Sequence, residues 1–508
     1  MTDVVVVGAG VTGLMLGTEL GLAGVQAVVI DALPAPSRQA KGGGVQPRTA
    51  EIFDLRGMMD PLRRHAVPGE PVSGHFGGLP VPLDCRPWRT RHLWPVQIPQ
   101  SHIEEFLATR LARHHHAVRR GHQLTAIEPG DHSITAVVHD HATGTDLRVG
   151  ARYLVACDGA HSTVRTLLGV GFPGEPGTRT AVLADIRLTS VSGLVPTGNG
   201  PFAAMVRDGG GYWSMLNPLD AGRYRFVFGP LEPTDTERRR DRPVSPGEVR
   251  NALRAVWGPD TELGEITSSS RFSDAVRQVE RYRAGRVLFA GDAAHVHPPL
   301  GGQGLNLGIQ DAFNLGWKLA AEVHGHAPDG LLDSYHTERH PAAGVLHHVR
   351  AQRVLAERRP SADVAALRDI VTDLARLPDA NRHLAGMISG LDLRYPMPSG
   401  ADHPLLGARI PDIELVIDGA PTRVSALMHT GRGLLLDLTG ADRLAGYHHA
   451  GVDLRSAVPA EQIDATAVLV RPDGHICWLC PAEPMSGLDA ALQHWFGPAR
   501  HPGVRSAG

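Results

Sequence analysis

Cysteine is scarce in this chain: four in 508 residues, at Cys85, Cys157, Cys477 and Cys480. So few thiols define no disulfide framework in a protein of this length, and they point to a reducing compartment. Long apolar runs are missing as well, which leaves no segment able to span a bilayer as a helix. The N-terminus is apolar, but Met1-Thr2-Asp3 has no basic region and Glu19 interrupts the run, so it does not read as a signal peptide. Lysine is rare beside arginine, and 50 basic residues are balanced by 53 acidic ones. That balance excludes a nucleic-acid footprint and an anionic-membrane surface. The tract His114-His115-His116 has no partner cluster at metal-ligand spacing; it reads as a cationic helix end, and no metal site is assigned. These absences predict a soluble, cytoplasmic protein of two or three domains.

What is present is glycine next to acid at strand ends. Val287-Leu288-Phe289-Ala290 is a short apolar run of buried-strand type, followed by Gly291-Asp292. Pro298-Pro299 and Gly301-Gly302-Gln303-Gly304 then lead through Leu305-Asn306 into a helical pattern. Glycine admits backbone N–H groups close to a ligand, and a helix start turns them toward negative charge. At the other end of the chain, Val4 to Val7 reads as a strand buried on both faces. It runs into Gly8-Ala9-Gly10-Val11-Thr12-Gly13, a helical stretch follows from Leu14, and the next strand closes with Asp31. A G-x-G-x-x-G motif between strand and helix, with an acid ending the next strand, is the fingerprint of a dinucleotide site. Glycines let the pyrophosphate reach the helix start, and Asp31 accepts hydrogen bonds from a ribose.

Strand and helix then stop alternating. Lys41-Gly42-Gly43-Gly44-Val45-Gln46 reads as a donor-rich loop, Val72 to Leu83 and Trp94 to Ile98 as strand-like, and Ser101 as the N-cap of a helix reaching Arg113 with Glu104 completing a capping box. Arg152 to Cys157 is another buried-type strand, ending at Asp158-Gly159 with Arg165 a few residues on. From Glu175 to Ser273 the pattern alternates, over Ala181–Leu188, Phe202–Val206, Tyr212–Leu216 and Arg223–Phe228, and predicts an inserted antiparallel sheet. Tyr212, Trp213, Phe226 and Phe228 are candidates to line a pocket there, with ordinary strand core as the competing account. Helical composition follows to about Ile388, then a turn-rich break at residues 395–400. A tail of strands and a last helix completes a unit large enough to fold. Cys477-Trp478-Leu479-Cys480 lies on a late strand rather than at a helix start, which argues against redox function.

Together Gly8 to Gly13, Asp158-Gly159 and Gly291-Asp292-Ala293-Ala294-His295, followed by Pro298-Pro299, Gly302-Gln303-Gly304-Leu305-Asn306 and Gln310-Asp311, make the chain resemble the FAD-dependent group A aromatic hydroxylases. The likeness spans about residues 1 to 390 and is strongest to the aromatic polyketide hydroxylases and rifampicin monooxygenases, which add a thioredoxin-like C-terminal domain. It implies an α/β architecture: a Rossmann-like FAD-binding domain, an inserted antiparallel substrate domain and that tail. The implied boundaries are 1–74, 101–175 and 274–395 for the FAD-binding domain, 75–100 and 176–273 for the substrate domain, and 401–508 for the tail.

Carried over by motif, Gly8, Gly10, Val11, Thr12 and Gly13 would hold the pyrophosphate and Asp31 the adenosine ribose. Lys41 would stand in for the usual arginine and Leu124 would pack near adenine. Gln100 would contact the flavin side, Asp292 the ribityl-phosphate region, and Asp158 and Arg165 both nucleotides. Gly302, Gly304, Leu305 and Asn306 would lie beside the isoalloxazine, with Pro299. His297 and His295 are candidates for proton handling and equally for core or capping roles. Val11 departs from a common proline, and Lys41 to Gln46 departs from an Arg-x-x-Gly-Leu-His pattern where the flavin shifts position. The resemblance implies a flavin reduced by NADPH or NADH, and oxygen transfer from a flavin hydroperoxide to a polycyclic aromatic. Baeyer–Villiger, epoxidising and non-catalytic members share the motifs. The oligomeric state, a homodimer included, is left open.

Overall fold

The computed structural model describes residues 1–37, 42–198, 200–220, 222–232, 242–342, 345–398, 402–481 and 485–498. The valine run forms β1 (Thr2–Val7), whose last four residues are buried. β1 lies between β2 (Ala27–Asp31) and the second half of β6 (Thr145–Ala156), parallel to both. Outside β2 sits β3 (Val118–Arg120), and outside β6 sits β12 (Val287–Phe289), again parallel. A hairpin of β4 (His122–Pro129) and β5 (Ile134–Asp140) pairs antiparallel with the first half of β6. The carboxyl ends of β1, β2, β6 and β12 therefore share one edge, where the chain first continues to one side of β1 and later returns on the other. Ligands of open α/β sheets bind at such a point.

Helix α1 (Val11–Leu22) crosses α4 (Gly304–Val323) at close range because both carry small residues at the contact. A Cβ on Gly308 would lie 2.2 Å from Thr12 Oγ1, and one on Gly316 would lie 2.6 Å from Glu19 Cβ. Any larger residue would push the glycine-rich start of α4 away from that of α1.

The insertion is a five-stranded antiparallel sheet in the order β8 (Val206–Gly209), β9 (Tyr212–Asp220), β10 (Arg223–Pro230), β7 (Thr180–Ser190) and β11 (Glu262–Ser273). Side chains alternate across it, so one parity must find an apolar cover. The amphipathic helix α3 (Pro246–Trp257) supplies it. Val249, Leu253 and Trp257 pack on Ile186, Leu216, Phe226 and Phe228, and Ser245 Oγ accepts the Glu248 amide to cap the helix.

Three sequence expectations are corrected. Val72 to Leu83 forms no strand: Pro80 and Pro82 lack amide donors, and Gly77 and Gly78 take positive φ of 56° and 73°. Phe202–Met205 is a helical turn after Pro201, and the strand starts only at Val206. Helix α2 (Gln100–Arg113) starts one residue before Ser101, with Pro99 at its N-cap and no side-chain cap. Gln100 instead donates to Glu104 at 2.8 Å.

The C-terminal sheet runs β14 (Val452–Ser456), β13 (Gly433–Asp437), β15 (Ala467–Val470), β16 (Ile476–Cys480), with only β13 and β14 parallel. With α6 (Leu488–Phe496) this is a thioredoxin-like arrangement. Cys477 and Cys480 are buried and unbridged on β16, and burial raises the Cys477 thiol pKa. The tail is not a separate core: Ile413, Leu415, Val470 and Ile476 join the cluster that contains Val5 and Leu154.

Charge is also buried at this junction. Arg471 bonds Glu338 of α5 (Ser334–Ala342) at 2.6 and 2.8 Å, and Lys318 reaches the same carboxylate at 2.7 Å. The loop carbonyls of Asp473 and Pro472 accept from Arg48 and Arg56, each at 2.9 Å. Among the described residues, no helix is long and apolar enough to cross a membrane.

Candidate functional site

At the sheet edge, Gly8 has a φ of 101° and leaves no room for a Cβ, which would lie 2.3 Å from the Cys157 carbonyl oxygen. The backbones after β1 and β6 thus touch. Gly13 is equally confined, 2.0 Å from the Gly8 carbonyl oxygen by the same measure, whereas a Cβ on Gly10 would meet nothing within 4 Å. Gly10 is the N-cap of α1, which has neither a side-chain cap nor an acid in its first turn. An uncapped helix start facing an open glycine cradle fits a pyrophosphate. Val11 and Thr12 begin that helix. Asp31 accepts from Ala9 N at 2.8 Å and faces Arg120 at 3.3 Å, so the acid is fixed beside the cradle. Leu124 is buried on β4 in the main core. Lys41 lies outside the described residues.

The β6 and β12 ends complete this edge. Asp158 Oδ2 accepts the Val164 amide at 3.1 Å. Its Oδ1 is buried with no hydrogen-bond partner among the described residues, and burial raises its pKa. That orphaned oxygen is a second feature suited to a bound polar group. Arg165 donates to the Ala293 and Ala160 carbonyls at 3.1 and 2.7 Å and stacks on Phe172, bracing the loop after β12.

Gly291 N donates to Asp311 Oδ2 at 3.0 Å, which also meets His295 Nε2 at 2.7 Å; Asp311 Oδ1 accepts from Arg339 at 2.8 Å. Burial opposes the Asp311 charge, yet Arg339 and His295 hold its pKa below the usual range. The function of this trio is to fix the Gly291-Asp292 turn: Asp292 itself is exposed toward the edge.

Asn306 stitches the two glycine loops together. Its Oδ1 accepts Gln46 N at 2.8 Å, and its Nδ2 donates to the Gly44 and Gly302 carbonyls at 2.8 and 2.7 Å. Leu305 and Gly304 start α4 at this seam, and a Cβ on Gly42 would lie 3.3 Å from Gln100 Oε1 and 3.7 Å from Leu305.

A cavity of about 600 Å³ opens from Gly44, Pro299 and Gly302 toward the inserted sheet. His75, Trp94, Phe202, Met215, Asn217 and Arg225 belong to its wall. The size suits a small organic ligand of several rings.

The aromatic residues singled out from sequence are not at this wall. Tyr212, Phe226 and Phe228 point to the opposite face and form the core beneath α3. Trp213 has the cavity-side parity but packs with Leu183, Met215, Val227 and Phe272. His295 is locked to Asp311. His297, with Nδ1 2.8 Å from the Pro298 carbonyl and burial lowering its pKa, lies beneath the loop rather than on the cavity wall, while Pro299 does line it. Strand parity could have exposed the error: Met215, Asn217 and Arg225 alternate with the residues that α3 requires. His75 and Phe202 carried no signal, because loops converge on a cavity only in three dimensions.

Residues 1–348 match the family model described as FAD binding domain, and residues 403–499 the one described as aromatic-ring hydroxylase, C-terminal. The chain is 43% identical to the 12-dehydrotetracycline 5-monooxygenase/anhydrotetracycline 6-monooxygenase of Streptomyces rimosus subsp. rimosus, over 98% of this chain and 99% of that protein. It is 42% identical to a rifampicin monooxygenase of Streptomyces venezuelae, with the same two coverages. The solved structure of an anhydrotetracycline hydroxylase from Streptomyces rimosus superposes with a TM-score of 0.88 at 42% identity, covering 98% of this chain and 100% of that one. Sequence, fold and site geometry agree that the chain belongs to the family of FAD-dependent aromatic-ring monooxygenases.

Proposed function

We propose that this protein hydroxylates a polycyclic aromatic small molecule of polyketide type, consuming NADPH or NADH and O2. One observation carries the reading: the cavity that begins at the flavin-side loops, Gly44, Pro299 and Gly302, ends against a sheet wall of apolar and sparse polar groups, Met215, Leu219, Asn217 and Arg225, with the aromatics Trp94 and Phe202 beside it. A flat multi-ring compound placed there would reach from the flavin-side loops to Met215 and Asn217. Relatives whose names specify tetracycline-type or rifampicin substrates support the choice of substrate class.

When bound, FAD supplies the electron transfer and oxygen activation that no side chain of this chain can provide. The cradle at Gly8, Gly10, Val11, Thr12 and Gly13 would hold the pyrophosphate, Asp31 a ribose, and Asp292 the ribityl-phosphate region. Gln100, Asp158 and Arg165 would support the nucleotide loops; Gly302, Gly304, Leu305 and Asn306 would present backbone groups to the ring system. Asn306 keeps the two loops at one separation, and Pro299 with the apolar wall excludes water from the reacting edge.

The test is stopped-flow absorbance of the FAD-loaded protein mixed with NADPH or NADH, with and without anhydrotetracycline or an angucycline-type phenol. Faster flavin bleaching with ligand, then a product heavier by one oxygen atom, is the expected result; the product's structure separates hydroxylation from ring insertion or epoxidation. Retained FAD that neither nucleotide reduces under any ligand overturns the proposal.

A further inference from the structure

The cavity wall contains three arginines, and each is already engaged. Arg63 donates to His92 Nδ1 at 3.1 Å. Arg91 pairs with Asp412 at 3.0 Å, and Arg225 with Asp185 at 3.0 and 3.1 Å. Arg225 also donates to the Gly42 carbonyl at 3.1 Å, which ties the sheet to the flavin-side loop. Each of these cations is thus oriented, and its charge or hydrogen-bonding capacity is partly taken up by a protein partner.

His75 differs from them. Its Nδ1 accepts the Gly78 amide at 3.2 Å, so the neutral ring carries its proton on Nε2. Nε2 has no hydrogen-bond partner among the described residues, and burial lowers the pKa to about 4, which keeps the ring neutral. The ring lies on Phe202 with centroids 4.0 Å apart and planes 27° apart.

The loop beneath cannot drift. Gly77 N donates to Gln352 Oε1 at 3.2 Å, Leu83 N to the Gly74 carbonyl at 3.1 Å, and a Cβ on Gly77 would lie 2.9 Å from that of Leu355. On the sheet side of the same cavity, Asn217 Oδ1 is buried without a hydrogen-bond partner among the described residues.

From this juxtaposition we propose that His75 is a specificity-determining residue, its Nε2–H donating to a carbonyl or phenolic oxygen of the polycyclic substrate while Asn217 anchors a second oxygen. A neutral donor fixed by its own loop suits a keto or phenol oxygen, because it neither demands nor neutralises a full charge. The Phe202–His75 stack continues the flat apolar surface such a ring system needs. The assignment rests on the substrate class given under Proposed function.

Quinizarin, anthraquinone and anthrone share one three-ring skeleton and lose oxygens stepwise, so they can be titrated into the FAD-loaded enzyme by flavin absorbance. His75→Phe keeps a stacking ring and removes the donor; His75→Gln keeps a donor. In wild type, affinity falls along the series. His75→Phe should weaken quinizarin by about tenfold, the worth of one hydrogen bond, and flatten the series, while His75→Gln restores part of the slope. Retained FAD and an unchanged melting temperature establish that the variants fold.

A His75→Phe protein with the wild-type preference along the series overturns the assignment and leaves the proposed function standing. If wild type binds none of the three and no anhydrotetracycline, the proposed function fails, and the assignment with it.

Discussion

Replacing Arg471 with methionine removes a cation that is fully buried between the C-terminal unit and α5. Its guanidinium makes two bonds to Glu338, at 2.6 and 2.8 Å, and two to Asp473, at 3.1 and 2.5 Å, with Trp495 stacked at 4.4 Å. Arg471 and Lys318 balance Glu338 and Asp473, so the variant leaves one carboxylate uncompensated. Lys318 still holds Glu338 at 2.7 Å, and Trp317 and Asn314 still reach Asp473 at 3.3 and 3.1 Å.

Breaking one partner of a buried pair costs about 3–5 kcal/mol. The unfolding entropy of 508 residues is about 1 kcal/mol per degree if they unfold as one unit. The melting temperature should therefore drop by about 3–5 °C, followed by tryptophan fluorescence. FAD affinity should fall as well, because the same loop holds Arg48 and Arg56 through the Asp473 and Pro472 carbonyls. A melting point within about 1 °C of wild type, with FAD bound normally, would refute the view that this cluster braces the flavin-side loops.

Gly10→Ala should leave the apo protein's melting unchanged, since its φ of −77° suits alanine and nothing lies within 4 Å, yet weaken FAD at least about tenfold by filling the cradle. Gly13→Ala should impair folding itself, its Cβ meeting the Gly8 carbonyl oxygen at 2.0 Å; equal behaviour of the two variants in calorimetry and FAD titration would contradict the cradle. Asn306→Ala should cost about 1–3 kcal/mol by orphaning the buried Gln46 amide and freeing the Gly44 and Gly302 carbonyls, seen as a lower urea midpoint that Asn306→Asp, which puts a carboxylate against those carbonyls, does not restore. Burial holds His75 and His348 at about 4 in the fold, below the unfolded value of 6.5. Their stability contribution is present above pH 6.5 and lost as pH falls toward 4, up to about 3 kcal/mol each. A urea midpoint that stays flat across that window would count against it.

The nucleotide half of this protein is legible in its sequence because it depends on local chemistry. A glycine that must admit a backbone or a phosphate, as at Gly8, Gly10 and Gly13, and an acid that ends the next strand, as at Asp31, are requirements met within a few dozen residues of each other. Four buried valines before that turn identify the central strand for the same reason. Alternation also revealed the inserted sheet, but not which side of it faced the cavity. That depended on α3, whose apolar face claims Phe226, Phe228 and Leu216 and leaves Met215, Asn217 and Arg225 to the cavity.

Tertiary structure alone decided the rest. His75, Phe202, Asn217 and Pro299 come from separate segments and meet only because the Gly77–Gly78 turn packs on the Gln352 and Leu355 helix while Asn306 joins loops 260 residues apart. The sequence by itself determined a dinucleotide site, through short-range backbone geometry; the cavity beside it was decided by long-range packing, which no local pattern encodes.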